Sequence, residues 1–211
     1  MKRGLFITFE GPDGAGKSTQ IENLKNYLDE LGLEPVFTRE PGGTELSENI
    51  RDILLDPANK GMASRTEALL YAASRAELVE KVIQPALDED KVVVCDRYID
   101  SSLAYQGYGR DLGMLPVLGL SQFATQDLMP ALTIMLMLTP EEARARLDEN
   151  NLDRLESEDI DFRQRVLKGF AKISDEYRFR MKVIDATLSR EEIWEEIKEA
   201  VDWKLKKRGL I

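Results

Sequence analysis

The chain has 211 residues, 43% of them hydrophobic and 32% charged, which is typical of one globular domain with a sizeable core, here spanning 1–211. A net charge of −10 excludes a broad electrostatic footprint for nucleic acid, so an anionic ligand must be met by a local basic cluster. One cysteine, Cys95, and no histidine exclude an internal disulfide and a Cys/His zinc site, and no apolar run is long enough for a signal peptide or a membrane span. We therefore expect a cytoplasmic protein that acts on a small phosphorylated molecule, without a nucleic-acid or membrane partner.

The first predicted elements are a strand at residues 4–10, a glycine-rich turn, and a helix that ends at Gly32. The turn matches the phosphate-loop pattern and lies between a strand and a helix, where the mechanism requires it. In such a loop the glycines let backbone N–H groups converge on phosphate oxygens, Lys17 reaches the β- and γ-phosphates, and Ser18 ligates Mg²⁺. An ordinary glycine-rich turn is the alternative. The residues that we assign to ATP binding here are Gly11, Pro12, Asp13, Gly14, Ala15, Gly16, Lys17, Ser18 and Thr19.

Strands and helices alternate along the rest of the chain. Two runs, at 91–95 and 132–138, are mainly apolar, which indicates strands buried on both faces of a parallel sheet. Weaker strand patterns lie at 35–38 and 183–185, and a polar, heavily charged stretch at 148–161 predicts a mobile loop. Helical patterns lie near 45–55, at 65–89, from Thr139 to about Leu147, at 162–180, and from Ser189 onward. This alternation predicts a doubly wound α/β fold of the P-loop type, with a central parallel sheet of about five strands flanked by helices.

An acidic residue ends one of the two apolar strands. Asp96 follows the run of valines, and a carboxylate at that point, beside the phosphate loop, would organise Mg²⁺. The alternative is an aspartate that only caps the next helix. Arg97 would then face the same pocket and hold an acceptor phosphate with its planar guanidinium group. Phosphate loops also serve nucleotide switches and motors, so the remaining residues must decide between these functions.

Six motifs, in order and at similar spacing over almost the full chain, resemble those of the thymidylate kinase family. They are Phe-Glu-Gly-Pro-Asp-Gly-Ala-Gly-Lys-Ser at 9–18, Thr-Arg-Glu-Pro-Gly-Gly at 38–43, Tyr71 to Arg75, Asp-Arg-Tyr at 96–98, Tyr-Gln-Gly at 105–107 and Asp-Ala at 185–186. The resemblance implies a nucleoside monophosphate kinase that uses ATP and Mg²⁺ to phosphorylate dTMP to dTDP in dTTP biosynthesis. It also implies a homodimer formed through the helices around 45–80 and 98–128. A lid at about 143–158 would close over the reacting groups and exclude water.

The resemblance also implies roles for individual residues at the acceptor. Asp13 contacts the region of the 3′-hydroxyl and helps to position the acceptor phosphate and the metal. Tyr71 stacks on thymine, Arg75 bonds to the edge of the base, and Tyr105 lies against C2′, where a ribose hydroxyl would clash. The arginines that hold the acceptor phosphate are Arg39, Arg51 and Arg97. The residues that line the deoxyribose and base pocket are Ser101, Ser102, Tyr105 and Gln106, and those assigned to ATP beyond the loop are Asp185 and Ala186.

The family supplies its transition-state cations either from the phosphate loop or from the lid. This chain has Gly14 and Ser18 where the loop type places basic residues, so the resemblance implies that the cations come from the lid, although the stretch 148–151 is acidic. Which lid arginine reaches the transferring phosphate is left open. The catalytic candidates are Lys17, Asp13, Arg97, Arg144, Arg146 and Arg154.

Simpler interpretations stand beside these assignments. Tyr71 recurs with Leu70 and Leu78 at helical spacing, which also fits a core residue. The three arginines at 39, 51 and 75 also fit charges on exposed surfaces. The acceptor could equally be another nucleoside monophosphate or a deoxynucleoside, because the fold and the loop are shared. A protein of another class, a nucleotide-dependent switch, should lack a second anion pocket.

Overall fold

The computed structural model of the protein describes residues 4–146 and 153–211. Its strands form one sheet in the order β2-β3-β1-β4-β5, and every neighbouring pair is parallel. The strands are β1 Leu5–Glu10, β2 Val36–Arg39, β3 Val92–Asp96, β4 Leu132–Met137 and β5 Met181–Asp185. The predicted fold class, a parallel sheet of about five strands flanked by helices, is confirmed.

The apolar runs occupy the middle of the sheet. All six residues of β1 are buried, as are four of the five residues of β3, because helices cover both faces of these strands. The strands with weaker patterns, β2 and β5, form the two edges and are more exposed. Charged residues come last in the two central strands, Glu10 in β1 and Asp96 in β3. The carboxyl edge of the sheet therefore gathers the ionisable groups, as expected for a ligand site in this fold class.

Helices pack on both faces of the sheet. The α-helices of the described residues are α1 Lys17–Glu30, α2 Glu45–Leu55, α3 Ser64–Leu78, α4 Gln84–Asp88, α5 Ile99–Ser102, α6 Met114–Thr125, α7 Pro140–Ala145, α8 Ile160–Glu176 and α9 Arg190–Arg208. A 3₁₀ turn spans Pro57–Asn59, and π-helical turns span Val79–Ile83 and Leu103–Gly109. Among the described helices, none is long and apolar enough to cross a membrane.

Two hydrophobic clusters hold these layers together. On one face of the sheet, Leu24 and Leu28 of α1 pack with Ile197 and Val201 of α9. On the other face, the side chains that α3, α5 and α8 contribute include Leu78, Ile99, Phe170 and Ile173. Removing a fully buried aromatic ring such as Phe170 typically costs about 3–5 kcal/mol, so these clusters fix the helices that carry the site.

Helix boundaries depart from the predictions in places with a physical cause. The predicted helix at 65–89 contains a π-helical turn, which has no sequence signature. The predicted helix at 162–180 begins at Ile160, because Asp159 caps it by accepting a hydrogen bond from the Phe162 N–H at 2.7 Å. It ends at Glu176. The capping box that opens α9 at Ser189 is confirmed. Residues 148–152 of the predicted loop, and Leu147 at the end of the predicted helix before it, lie outside the described part of the chain.

Candidate active site

The glycine-rich turn connects β1 to α1 at the carboxyl edge of the sheet. Gly11 has φ 128°, and a Cβ there would lie 2.1 Å from the Leu136 carbonyl oxygen, so only glycine fits. Gly16, with φ 88°, is the N-cap of α1 and offers no side chain to the first N–H groups of the helix. Those donors and the positive end of the helix dipole are consequently free to bind an anion.

Lys17 is folded back onto this loop. Its Nζ donates to the carbonyl oxygens of Gly11 at 3.2 Å and Pro12 at 2.9 Å, and the side chain is buried. Burial, together with repulsion from Arg97, lowers the pKa of Lys17 to about 8. A phosphate beside Nζ would favour the charged ammonium again, which is the role expected of a phosphate-loop lysine.

Asp96 and Ser18 fit the requirements of a magnesium site. Asp96 is paired in register with Phe9 across β1 and β3, and its Oδ1 is buried without a hydrogen-bond partner. Ser18 is exposed on the first turn of α1. No group of three or more metal-binding side chains occurs among the described residues. Mg²⁺ in phosphoryl-transfer sites needs only one or two carboxylates beside substrate phosphates and water, so the chemistry of these two side chains is compatible with the metal.

Arg97 joins the phosphate loop to the segment after β3. Its backbone adopts φ 69°, a left-handed conformation that costs a non-glycine residue about 1–3 kcal/mol. Nη1 donates to the Gly11 carbonyl at 2.8 Å and to Ser101 Oγ at 3.1 Å, and Nη2 donates to Asp13. The strained backbone thus directs the guanidinium group to the phosphate loop and to the cavity beside it.

Glu10 stabilises the turn that carries Arg97. It is fully buried, and its carboxylate accepts hydrogen bonds from the Tyr98 N–H at 2.8 Å and from the Ser101 hydroxyl. Burial, reinforced by the charge of Asp100, raises the pKa of Glu10 to about 8. Glu10 lies in the motif at 9–18 but was not among the predicted site residues. An acidic residue at the end of an otherwise apolar strand is the signal that could have found it.

Asp13 is ionised and bonded on both sides. It accepts hydrogen bonds from Arg97 and, at 3.0 Å, from the Tyr105 hydroxyl. Burial opposes its ionisation, but the charges of Arg97 and Lys17 and these hydrogen bonds outweigh it and lower the pKa of Asp13 to about 2. A carboxylate of the phosphate loop therefore fixes two residues of the neighbouring cavity.

A cavity of about 170 Å³ opens next to the phosphate loop. Of the residues predicted to bind the acceptor, every one except Arg39 lines it. These are Asp13, Arg51, Tyr71, Arg75, Arg97, Ser101, Ser102, Tyr105 and Gln106. Other lining residues were not predicted, among them Glu40, Asp153, Leu155 and Glu156. Glu40 lies in the motif at 38–43 but was given no role there, and the other three lie together in a turn before α8 that has no motif of its own.

Arg39 is the predicted acceptor residue that the structure does not bring to the cavity. It ends the edge strand β2, its side chain is 51% exposed, and it pairs with Glu48 at 2.8 Å. Arg51 of α2, in contrast, lines the cavity and donates to the Pro41 carbonyl at 2.9 Å. Around β2, the cavity therefore receives its positive charge from the helix rather than from the strand.

Arg75 is a buried residue rather than a solvated charge. Its Nε donates to Glu40 at 2.7 Å, and other guanidinium hydrogens bind Ser102 at 2.9 Å and Ser121 at 3.1 Å. A fourth binds the Tyr98 carbonyl at 3.1 Å. An arginine has five N–H donors, so one has no partner among the described residues and is available to a ligand in the cavity that Arg75 lines. Burial raises the pKa of Glu40, and Arg75 opposes this shift.

The predicted lid arginines lie in different places. Arg146 donates from Nη1 to the Gly14 carbonyl at 3.3 Å and from Nη2 to the Ala186 carbonyl at 3.0 Å, so it spans the phosphate loop and the end of β5. Arg154 is buried, and it donates to the Leu54 carbonyl at 2.6 Å and pairs with a buried glutamate of α3. The side chain of Arg144 lies outside the part that the structure describes. Of the two described arginines, Arg146 is the one at the phosphate loop.

Gly14 and Arg146 are packed against each other. A Cβ on Gly14 would lie 2.9 Å from Cβ of Arg146, and Gly14 has φ 77°. Nearby, Asp185 accepts hydrogen bonds from the N–H and the hydroxyl of Thr187, which lower its pKa. Ala186 is buried, and its N–H donates to the Met137 carbonyl at 2.9 Å. The predicted pair 185–186 thus forms a turn beside the phosphate loop, with the Ala186 carbonyl held by Arg146.

Comparisons with known proteins agree with this geometry. The family whose profile matches residues 9–197 is described as thymidylate kinase. A protein named thymidylate kinase from Lactobacillus helveticus is 49% identical over 210 residues, which cover 96% of this chain and 98% of that protein. One of the same name from Symbiobacterium thermophilum is 48% identical, with 97% and 95% covered.

Solved structures give the same result. The crystal structure of thymidylate kinase from Ehrlichia chaffeensis superimposes with a TM-score of 0.77 at 34% identity, covering 94% of this chain and 98% of that one. The sequence motifs, the parallel sheet, the cavity beside the phosphate loop and these relatives all agree. This chain belongs to the thymidylate kinase family and is a nucleoside monophosphate kinase.

Proposed function

We propose that this chain transfers the terminal phosphoryl group of ATP to dTMP, giving ADP and dTDP for dTTP biosynthesis. It acts as one cytoplasmic kinase domain of residues 1–211, with a lid at about 143–158 and without a nucleic-acid or membrane partner. The observation that carries the proposal is the position of Asp13. It belongs to the phosphate loop and also lines the acceptor cavity, so donor and acceptor phosphates bound at the two sites would meet there.

In this mechanism the side chains position the reactants and neutralise charge, because phosphoryl transfer needs little covalent chemistry from the protein. Lys17 leaves the loop carbonyls and binds the β- and γ-phosphates, while Arg97 holds the acceptor phosphate. Arg146 lies over the loop at Gly14, where it supports the developing charge. Asp96 and Ser18 would hold Mg²⁺, which neutralises the donor phosphates when bound.

Selection of the base follows from the donors and acceptors at the cavity. Tyr71 offers a stacking face that suits any pyrimidine, so discrimination falls to the edges of the base. The remaining N–H of Arg75 suits the carbonyl at C4 of thymine and not the amino group of cytosine. The ring of Tyr105 is held by the bond to Asp13 at 3.0 Å, where it would exclude a ribose hydroxyl.

A coupled ADP-release assay across a panel of nucleoside monophosphates tests the proposal. We expect the highest kcat/KM with dTMP, a loss of about 10- to 200-fold with dUMP for one missing methyl group, and at least about a hundredfold loss with dCMP. In a Tyr105→Ala variant, the kcat/KM for ribosylthymine 5′-monophosphate should rise relative to that for dTMP. Tyr105→Phe, which retains the ring, serves as the matched control. A preference for another monophosphate or a deoxynucleoside, or ADP release that no acceptor stimulates, as in a nucleotide switch, would refute the assignment.

The same proposal includes a homodimer. Large apolar side chains are exposed on neighbouring helices, with Leu69 of α3 58% exposed and Leu115 and Phe123 of α6 74% and 87% exposed. Exposed apolar patches of this kind mark interfaces, and these helices lie in the ranges that the family resemblance implies. Sedimentation of a Phe123→Asp variant at increasing concentration would report a monomer if α6 forms the contact and an unchanged dimer if it does not.

A further inference from the structure

One carboxylate outside the cavity lining gathers donors from two separate parts of the chain, the turn at 106–110 and the segment after 152. Glu67, on α3, is 0% exposed. It accepts hydrogen bonds from Gln106 Nε2 at 2.9 Å, Arg110 Nη2 at 2.9 Å and Arg154 Nη1 at 2.6 Å. A buried carboxylate with this many charged partners is a costly arrangement, and removal of one member typically weakens the whole network.

The two arginines attach both ends of the segment 153–158 to Glu67. Near its start, Arg154 pairs with Glu67 and also bonds to α2 through its side chain and its backbone N–H. At its end, Glu158 pairs with Arg110 at 2.6 Å, and Arg110 in turn pairs with Glu67 at 2.9 Å. The three lining residues Asp153, Leu155 and Glu156 come from within this segment. Glu67 therefore fixes a wall of the acceptor cavity.

The charges of this network balance. Two arginines, Arg110 and Arg154, face two acids, Glu67 and Glu158. Arg154 is 1% exposed, and within the described chain its ion pair is with Glu67. Without the charge of Glu67, the Arg154 guanidinium would be buried and unpaired, a state that proteins avoid by moving the group to water. The segment 153–158 would then leave its position.

Glu67 also determines how the amide of Gln106 is oriented. Burial opposes the ionisation of Glu67, but its hydrogen bonds to Arg110 and Gln106 outweigh it and lower the pKa, so the carboxylate only accepts. Gln106 must accordingly direct its nitrogen to Glu67, which leaves its side-chain oxygen as an acceptor that has no partner among the described residues. An acceptor at the cavity suits the N3–H of thymine and opposes the N3 lone pair of cytosine.

We propose that Glu67 is a positioning residue for acceptor recognition, which orients Gln106 for a thymine-like base and holds the segment 153–158 as a wall of the cavity. It acts through these neighbours and touches neither substrate. This inference rests on the proposed function, because it concerns the selectivity of the same cavity.

The test is Glu67→Gln, which keeps the volume and removes the charge. A glutamine at 67 can donate as well as accept, so Gln106 is free to turn. We expect the ratio of kcat/KM for dTMP to that for dCMP to fall about tenfold or more and KM for dTMP to rise about 10- to 100-fold. KM for ATP should stay within about threefold. Hydrogen exchange of the peptide covering 153–158 should become about tenfold faster.

Two further variants separate positioning from general destabilisation. Arg110→Met removes the link to Glu158 but leaves Glu67 ionised beside Arg154, so it should speed exchange at 153–158 and keep the dTMP to dCMP ratio. Asp100→Asn breaks an equally buried pair with Arg180 elsewhere in the protein, so exchange at 153–158 should not change. If Glu67→Gln does not fold, Arg110→Met still tests whether these ion pairs hold the segment 153–158 in place.

Three results would overturn the inference: an unchanged dTMP to dCMP ratio in folded Glu67→Gln, unchanged exchange in Arg110→Met, or faster exchange at 153–158 in Asp100→Asn. A wild-type protein that does not phosphorylate dTMP would refute the proposed function instead. The exchange measurements do not depend on turnover, so the two failures are distinguishable.

Discussion

The phosphate loop and the acceptor cavity are built in opposite ways. The loop relies on backbone: Gly11 and Gly16 adopt positive φ, and the first N–H groups of α1 are left free. The cavity relies on side chains that are already bonded to one another, as Arg75 is to Glu40 and Gln106 is to Glu67. A site made of backbone restricts residue types locally, whereas a site made of paired side chains depends on partners far apart in the chain.

The largest effect is expected at the phosphate loop. Lys17→Ala should reduce turnover by about 10³–10⁵, the scale reported for a cation that stabilises a transferring phosphoryl group. The melting temperature should change little, because the hydrogen bonds that Lys17 makes within the described chain are to carbonyls of its own loop. Lys25→Ala, on the exposed side of α1, is the control. A folded Lys17→Ala protein that keeps more than about a tenth of wild-type turnover would contradict the assignment.

Arg146 and Arg154 sharpen the comparison, because each belongs to one of the two regions. Arg146→Ala should lower kcat by about 10- to 100-fold and leave KM for dTMP nearly unchanged, since its contacts are to the phosphate loop. Arg154→Ala should instead lower the free energy of unfolding by about 1–3 kcal/mol and raise KM for dTMP, because it breaks the pair with Glu67.

Steady-state kinetics and denaturant unfolding of the two variants show whether each arginine affects turnover or affects stability and dTMP binding. Equal losses of kcat in both variants, with equal stability, would mean that both arginines serve the transferring phosphate. That outcome would restore Arg154 as a catalytic arginine, as the sequence analysis had it.

Glu10, which lies between the two regions, gives the protein a pH-dependent stability. Its pKa is raised to about 8 in the folded protein, so between about pH 4.5 and 8 the native state binds more protons than the unfolded state. Its contribution to stability is complete below about pH 4.5 and is lost as pH rises to about 8, at no more than about 1.4 kcal/mol per pH unit. Urea unfolding of the wild type and of Glu10→Gln across this pH range checks the prediction. If the free energies of unfolding of the two proteins changed in parallel with pH, Glu10 would not be the cause.

Much of the fold and part of the site could be predicted from the sequence. The central strands were predicted within a residue or two because long apolar runs bounded by charges leave little choice. The phosphate loop followed from its glycines. The family resemblance, now confirmed, brought in the acceptor residues that line the cavity.

What the sequence could not supply depends on distant contacts. Whether Arg39 or Arg51 reaches the cavity is decided by the edge position of β2 and by Glu48, which pairs with Arg39. The location of Arg154 depends on a glutamate 87 residues away. Neither relation leaves a local pattern, so arginines that look equivalent in the sequence occupy different environments.

The contact between Gly14 and Arg146 has an evolutionary consequence. A side chain at position 14 would displace the backbone-proximal part of Arg146, so a basic residue in the loop and this lid arginine cannot occupy their places together. The contact is with Cβ of residue 146, which every residue except glycine has, so replacing Arg146 alone would not make room for a side chain at position 14. Moving the cation into the loop therefore requires a glycine at 146 or a shift of the backbone there, as well as a residue at 14 that tolerates φ 77°.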